Sequence, residues 1–212
     1  RANSAHIAHE LRTPLTAMVT ELDALRRSSL RDGATGAALA RVRSDAARLA
    51  DVIDAILVLS DDARGAAPGK AVINVADLVR ELAPANACVE APDEALVEAD
   101  ERLVWLALRN LADNARKYGD GVRVVRVSRE GNFVRLAVID NGREIEEASR
   151  KQMFERYWRG CADGDGSGLG LALVRAVAER HGGWAEALPT SGGLQVSMTL
   201  DGLVGWHESA PA

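Results

Sequence analysis

Four groups of residues have types and spacings that could do chemistry. The first runs Ser4-Ala5-His6-Ile7-Ala8-His9-Glu10-Leu11-Arg12-Thr13-Pro14-Leu15. His9 lies between the apolar positions Ile7 and Leu11 of a helix-periodic pattern, so it points away from the seam those residues form. An exposed imidazole titrates at about 6.5, and its neutral form is a fair nucleophile near pH 7. Glu10 can hydrogen-bond one ring nitrogen and favour attack by the other. Thr13 falls one turn on, on the same face. Pro14 removes a helix hydrogen bond and predicts a kink there. Taken alone, an exposed helical histidine beside a glutamate is usually a solvated face, and His6 keeps that plain reading.

The second group is Asn110, Asn114, Lys117 and Tyr118, on one stripe of a helix expected over 101–118. Leu108, Leu111 and Ala115 form its apolar stripe. Two carboxamides one turn apart, with an ammonium beyond them, can coordinate Mg²⁺ and triphosphate oxygens. An ordinary polar helix face is the competing reading, although Lys117 is one of only three lysines. The third group, Asp140-Asn141-Gly142, ends an expected strand and is followed by Arg143-Glu144. The aspartate can accept a hydrogen bond from an adenine amino group, or the sequence can be a plain turn. The fourth, Gly164-Asp165-Gly166-Ser167-Gly168-Leu169-Gly170-Leu171, leads directly into a helix. Glycines let backbone amides approach phosphates, and a helix N-terminus favours an anion. A lone glycine-rich loop is a weak signal.

These groups need elements to position them. Ile7, Leu11, Leu15, Met18, Leu22 and Leu25 recur every three or four residues, as do Leu39, Val42, Ala46, Leu49, Ile53 and Ile56. The glycines within 28–36 can turn the chain between two helices. The expected product over 1–60 is an all-α helical hairpin. Its two narrow stripes cannot enclose a core, so two copies should form a dimeric four-helix bundle. Residues 61–71 read as a linker. Strands are then expected at 72–75, 95–98, 122–128, 133–139, 184–188 and 194–200, and helices at 76–82, 101–118, 148–157 and 169–181. That alternation predicts an α+β domain over 72–203, with helices on one face of a mostly antiparallel sheet, followed by a tail at 204–212.

Composition narrows the function classes. The 212 residues are 47% hydrophobic and 27% charged, with a formal net charge of −5, as suits a globular protein. Without a Lys/Arg run, nucleic acid and anionic membrane are not expected partners. Apolar runs such as 103–108 fall far short of the roughly 20 residues that span a bilayer, so no direct membrane contact is expected. Cys88 and Cys161 lack metal-ligand spacing and read as free thiols. The chain begins at Arg1 inside what reads as a helix, and the expectation is a segment of a longer protein.

Taken in order, these groups resemble the sensor histidine kinase family of bacterial two-component systems. Residues 9–15 resemble its phosphoacceptor box and Asn110 to Tyr118 its Asn box. Asp140-Asn141-Gly142 resembles the first Gly box, Phe154 to Gly160 the box opening the ATP lid, and Gly166 to Leu171 the second Gly box. The resemblance implies a helical-hairpin domain joined to an α/β-sandwich ATP-binding domain of the Bergerat type. It implies that His9 accepts the γ-phosphoryl of ATP, that Glu10 orients or deprotonates it, and that Thr13 with Glu10 positions water in a phosphatase reaction. Asn114 would ligate Mg²⁺ with Asn110 beside it, Lys117 would touch phosphate, Tyr118 would line the pocket, and Asp140 would read the adenine amino group. Gly142, Gly166, Gly168, Leu169 and Gly170 would close around the nucleotide, with 158–167 as the mobile lid. The implied partners are a second copy of the chain and a response regulator whose aspartate receives the phosphoryl group. The implied location is the cytoplasmic portion of an inner-membrane sensor.

One departure stands out. The family's first Gly box usually reads Asp-x-Gly-x-Gly, and here the second glycine is Glu144. A side chain and a carboxylate at that place could crowd or repel the nucleotide. Two other readings therefore stay open: a non-catalytic dimeric scaffold, supported by Glu144 alone, and an ATPase or serine/threonine kinase sharing the ATP fold, against which the His9 box speaks.

Overall fold

The computed structural model describes residues 69–160 and 167–208, together with Thr20, Val42, Leu49 and Val58. The chain separates into two compact units, residues 1–60 and 61–212. In the first, all four of the described positions are helical, and Val58 is buried. His9, Glu10, Thr13, most of the expected linker and Gly166 lie outside the described residues.

The second unit is an α/β sandwich built on two sheets. One is three-stranded and antiparallel, with β1 (Ala71–Asn74), β3 (Glu94–Ala99) and β8 (Leu203–His207) in the order β1-β3-β8. The other is five-stranded: β2 (Cys88–Glu90), β4 (Val122–Glu130), β5 (Phe133–Asp140), β7 (Gly193–Leu200) and β6 (Ala185–Thr190) lie in the order β2-β4-β5-β7-β6. Only the β2–β4 pair is parallel. The helices are α1 (Val75–Leu82), α2 (Glu101–Tyr118), α3 (Glu147–Gln152) and α4 (Gly170–Arg180).

Alternation along the strands makes the core. Val134, Leu136 and Val138 of β5 pair with Leu200, Met198 and Val196 of β7 on one face, and all six are buried. The helices α2 and α4 pack on each other, α2 against β4 and β5, and α4 against β6 and β7. The buried stripe of α2 is Val104, Leu108, Leu111 and Ala115, at helical spacing. The opposite sheet face has its own polar tie. Arg135, 8% exposed, bonds Glu130, Glu186 and Ser197 and so links β4, β5, β6 and β7.

α2 starts where its sequence says it should. The Asp100 carboxylate accepts from Leu103 N at 3.2 Å, and Arg116 and Lys117 occupy the last turn. The same helix start receives a buried histidine. His181, 2% exposed, caps the end of α4; its Nδ1 bonds Val177 O at 2.8 Å, and its Nε2 accepts from Asp100 N at 3.0 Å. Its own carbonyl accepts from Asp201 N at 2.9 Å. Burial holds its pKa below the ordinary imidazole value.

Several sequence expectations are corrected. The helix expected over 148–157 stops at Gln152, because the chain turns to bury Met153 and Phe154. Val75 begins α1 instead of ending a strand, since the Asn74 side chain accepts from Ala76 N and caps the helix. The expected tail from 204 is wrong through His207: those residues belong to β8, which pairs with β3 from Glu94↔His207 to Val97↔Leu203. The single expected sheet is two, and the edge strand β2 was not anticipated, its three residues all being exposed. No helix among the described residues is long and apolar enough to cross a membrane.

Candidate functional site

The site forms where the end of α2 meets the end of β5. Gly119 closes α2, its N–H bonding Ala115 O at 2.9 Å, while its carbonyl accepts from Asn141 N at 2.8 Å. Asp140 is thereby stitched to the helix that carries Asn110 to Tyr118. It is 5% exposed. Its Oδ1 accepts from Gly142 N at 3.0 Å and from Leu194 N, at the start of β7, at 2.8 Å. No hydrogen bond reaches Oδ2 among the described residues. A buried carboxylate oxygen left without a donor is costly in a folded protein, and a donor from outside the chain would offset that cost. The amino group of a purine is such a donor.

The other expected residues divide into two kinds. Asn114 is half-buried, and Lys117 and Tyr118 are exposed on the same helix end, Tyr118 at 56%. No side-chain hydrogen bond is made by any of the three among the described residues. Asn110 is used differently: its Nδ2 donates to Leu106 O at 2.8 Å. Its Oδ1 lies against Gly170, where an added Cβ would approach to 2.7 Å. Asn110 therefore sets the spacing between α2 and the start of α4. Arg143 and Glu144 are exposed beyond Gly142.

The segment 153–160 and the start of α4 are clamped together. Tyr157 N donates to Gly168 O at 2.8 Å, and Arg175 of α4 holds Glu155 at 2.7 Å. The neighbouring guanidinium lowers the Glu155 pKa. Gly168 has φ +68°, and a Cβ there would come within 2.7 Å of Tyr157 backbone atoms. Only glycine fits both demands. Tyr157 itself takes φ +66°. Leu169 is buried, and its N–H reaches Ser167 Oγ at 3.3 Å. The first turn of α4 has no side-chain cap, and its amide groups together with the positive end of the helix suit a phosphate. Both ends of the expected lid are thus held, while residues 161–166 lie outside the described residues.

The buried Asp140 carboxylate, the exposed end of α2 and the uncapped start of α4 are the parts of this unit that carry the expected binding residues. Among the described residues there is no cluster of three or more His, Cys, Asp or Glu for a metal. Asn114 offers the hard carboxamide oxygen that a phosphate-bound Mg²⁺ accepts.

Sequence reading missed two contributors. Gly119 and Gly193 both press on Asp140, and a Cβ on either would come within 2.3 Å of it. Gly192-Gly193 between two strands was a visible signal of a turn, but not of contact with residue 140.

Comparison with known proteins places this geometry. The family model for the His Kinase A (phospho-acceptor) domain matches residues 2–65, which include His9, Glu10 and Thr13. That for the histidine kinase-, DNA gyrase B- and HSP90-like ATPase matches residues 99–203. The sensor-like histidine kinase SenX3 of Mycobacterium tuberculosis is 33% identical over 220 residues, covering 94% of this chain and 53% of SenX3. The mycobacterial sensor histidine kinase MprB gives a TM-score of 0.54 at 25% identity over 63% of this chain and 98% of that one. The histidine kinase ThkA, solved with the response regulator protein TrrA, shares the fold with a TM-score of 0.65 at 20% identity, over 95% of this chain and 61% of that one. The chain spans about half the length of the curated relatives it matches. A phospho-acceptor domain followed by an ATP-binding domain, with relatives aligned along nearly the whole sequence, settles the family: the chain belongs to the two-component sensor histidine kinases.

Proposed function

We propose that this chain is the autophosphorylating core of its parent protein, transferring the γ-phosphoryl of ATP to His9 and then to an aspartate of a response regulator. The observation that carries the reading is the Asp140 corner, a buried carboxylate with one oxygen satisfied by two backbone amides and the other without a donor among the described residues. Asp140 Oδ2 accepts from the adenine amino group. Lys117 and the first turn of α4 hold the phosphates, and Tyr118 covers the base. Asn114 is the residue that would hold Mg²⁺, which when bound offsets charge on the phosphate oxygens. Gly166, Gly168, Leu169 and Gly170 bring the backbone to the nucleotide.

The chemistry is a displacement at phosphorus. A neutral imidazole nitrogen of His9 bonds to the γ-phosphorus as the bond to the bridging oxygen breaks, releasing ADP. Glu10 orients the ring and takes up its proton. A second displacement carries the group from His9 to a carboxylate oxygen on the regulator, returning His9 to its starting state. Thr13, with Glu10, positions a water that attacks the regulator's aspartyl phosphate in the separate phosphatase reaction, releasing inorganic phosphate and the free carboxylate. The working form is a homodimer built on the hairpin of residues 1–60, joined through 61–71 to the ATP-binding domain. The chain is the cytoplasmic portion of a membrane-anchored sensor, with neither nucleic acid nor membrane as its own partner. The exposed side chain of Glu144 lets its carboxylate remain in water beside a bound nucleotide, which weighs against a non-catalytic scaffold.

Incubation with γ-labelled ATP followed by acid or base treatment tests this reading. Label lost in acid and kept in base is phosphohistidine; the reverse pattern is phosphoserine and would sink the proposal, as would no label at all.

A further inference from the structure

The β5–β7 ladder stops one step early. Its pairing runs from Val134↔Leu200 to Ile139↔Gln195. At the next step Leu194, still paired with Pro189 of β6, does not pair with Asp140 across β5 and β7; its N–H donates to the Asp140 side chain at 2.8 Å. The donor that would have continued the sheet is diverted to the carboxylate. The adjoining residue makes this possible. A Cβ on Gly193 would lie 2.1 Å from Asp140 O and 3.0 Å from its Oδ1, so β7 reaches the carboxylate only with a bare Cα there. Gly193 is buried and is paired with Thr190 across the β6–β7 turn, so it cannot retreat freely.

We propose that Gly193 is a positioning residue for base selection: by letting Leu194 N–H grip Asp140 Oδ1, it commits the carboxylate to read a purine amino group and to refuse a purine carbonyl. The proposal rests on the reading of Asp140 as the acceptor for adenine. With Oδ1 held by two N–H groups, Oδ2 is fixed in direction and can only accept. A 6-amino purine supplies a donor there. A 6-oxo purine opposes oxygen to oxygen, which a buried site rejects strongly. Inserting a methyl group at 193 forces Asp140 and β7 apart and breaks the Leu194 bond. The carboxylate can then rotate, and the discrimination is lost.

The test measures dissociation constants of ATP and ITP, the 6-oxo analogue, on the full chain, its Asp140→Asn variant and its Gly193→Ala variant. Wild type is expected to favour ATP by roughly tenfold or more, the ratio that one lost hydrogen bond to a charged group implies. Gly193→Ala is expected to weaken ATP to about the level of ITP while moving ITP by less than about threefold. That selective loss separates positioning from general damage, which weakens both nucleotides in parallel and would overturn the proposal, as would a retained ratio. If Gly193→Ala does not fold, replacing the Leu194 amide by an ester through semisynthesis removes the donor without adding a Cβ, and the same loss of ratio is expected. Asp140→Asn distinguishes the two levels of the argument. If it leaves the ratio intact, the adenine reading itself fails. If it abolishes the ratio while Gly193→Ala and the ester preserve it, only the role of Gly193 fails.

Discussion

Replacing His181 should destabilise the ATP-binding unit in a pH-dependent way. In the fold Nε2 accepts from Asp100 N and Nδ1 bonds Val177 O, which requires a neutral ring with its proton on Nδ1. Substitution by Gln breaks this geometry and leaves Asp100 N, in the gap between α4 and α2, without its acceptor. The cost is about 1–3 kcal/mol at pH 8. Burial lowers the His181 pKa in the folded state, whereas the unfolded ring titrates at about 6.5. Below that pH the unfolded chain binds a proton that the folded chain does not, so wild-type stability falls as pH falls. The slope reaches at most about 1.4 kcal/mol per pH unit, down to the folded pKa. The His181→Gln variant lacks this term, so its deficit relative to wild type should shrink between pH 8 and pH 5.5. Urea unfolding followed by tryptophan fluorescence suits the measurement, because Trp105, Trp158, Trp184 and Trp206 all lie in the second unit. A deficit that stays constant or grows as pH falls would refute the neutral, acceptor-bearing imidazole.

Three further outcomes are expected. Gly168→Ala should lower unfolding free energy by about 1–2 kcal/mol from its left-handed φ alone, and weaken ATP binding as the Tyr157 clamp opens; unchanged urea midpoints and ATP affinity would contradict the clamp. Asn114→Ala should abolish the Mg²⁺ dependence of nucleotide binding while leaving adenosine affinity near wild type, and calorimetry with and without the cation reads both. Glu144→Gly should tighten ATP binding modestly, by removing a carboxylate from near the phosphates rather than by relieving backbone strain, since Glu144 keeps an ordinary φ; equal or weaker binding would make Glu144 harmless or part of the site.

What the sequence disclosed follows from the range of each signal. The bounds of α2 were legible because Asp100 caps one end, Gly119 stops the other, and a helical stripe fills the space between. The Asn110 to Tyr118 stretch and Asp140 could be nominated by residue type, and the fold brings them together through the Gly119–Asn141 bond. The grip on Asp140 was not legible: one of its two donors is the backbone N–H of Leu194, 54 residues away, and a main-chain donor leaves no trace in residue type. Asn110 was nominated because its carboxamide shares a stripe with Asn114, and the close approach of Gly170 to its Oδ1 was not legible in the sequence. The strands β2 and β8 escaped for another reason. With three and five residues at sheet edges, they are too short and too exposed to show a period.

On this mechanism His9 takes the phosphoryl group from a nucleotide bound at the Asp140 corner. The most direct measurement is labelling of His9→Gln with γ-labelled ATP alongside its affinity for a fluorescent ATP analogue. Label should disappear while nucleotide affinity stays within about twofold of wild type, since acceptor and pocket belong to different units of the chain. Label persisting on the His9→Gln protein would contradict it.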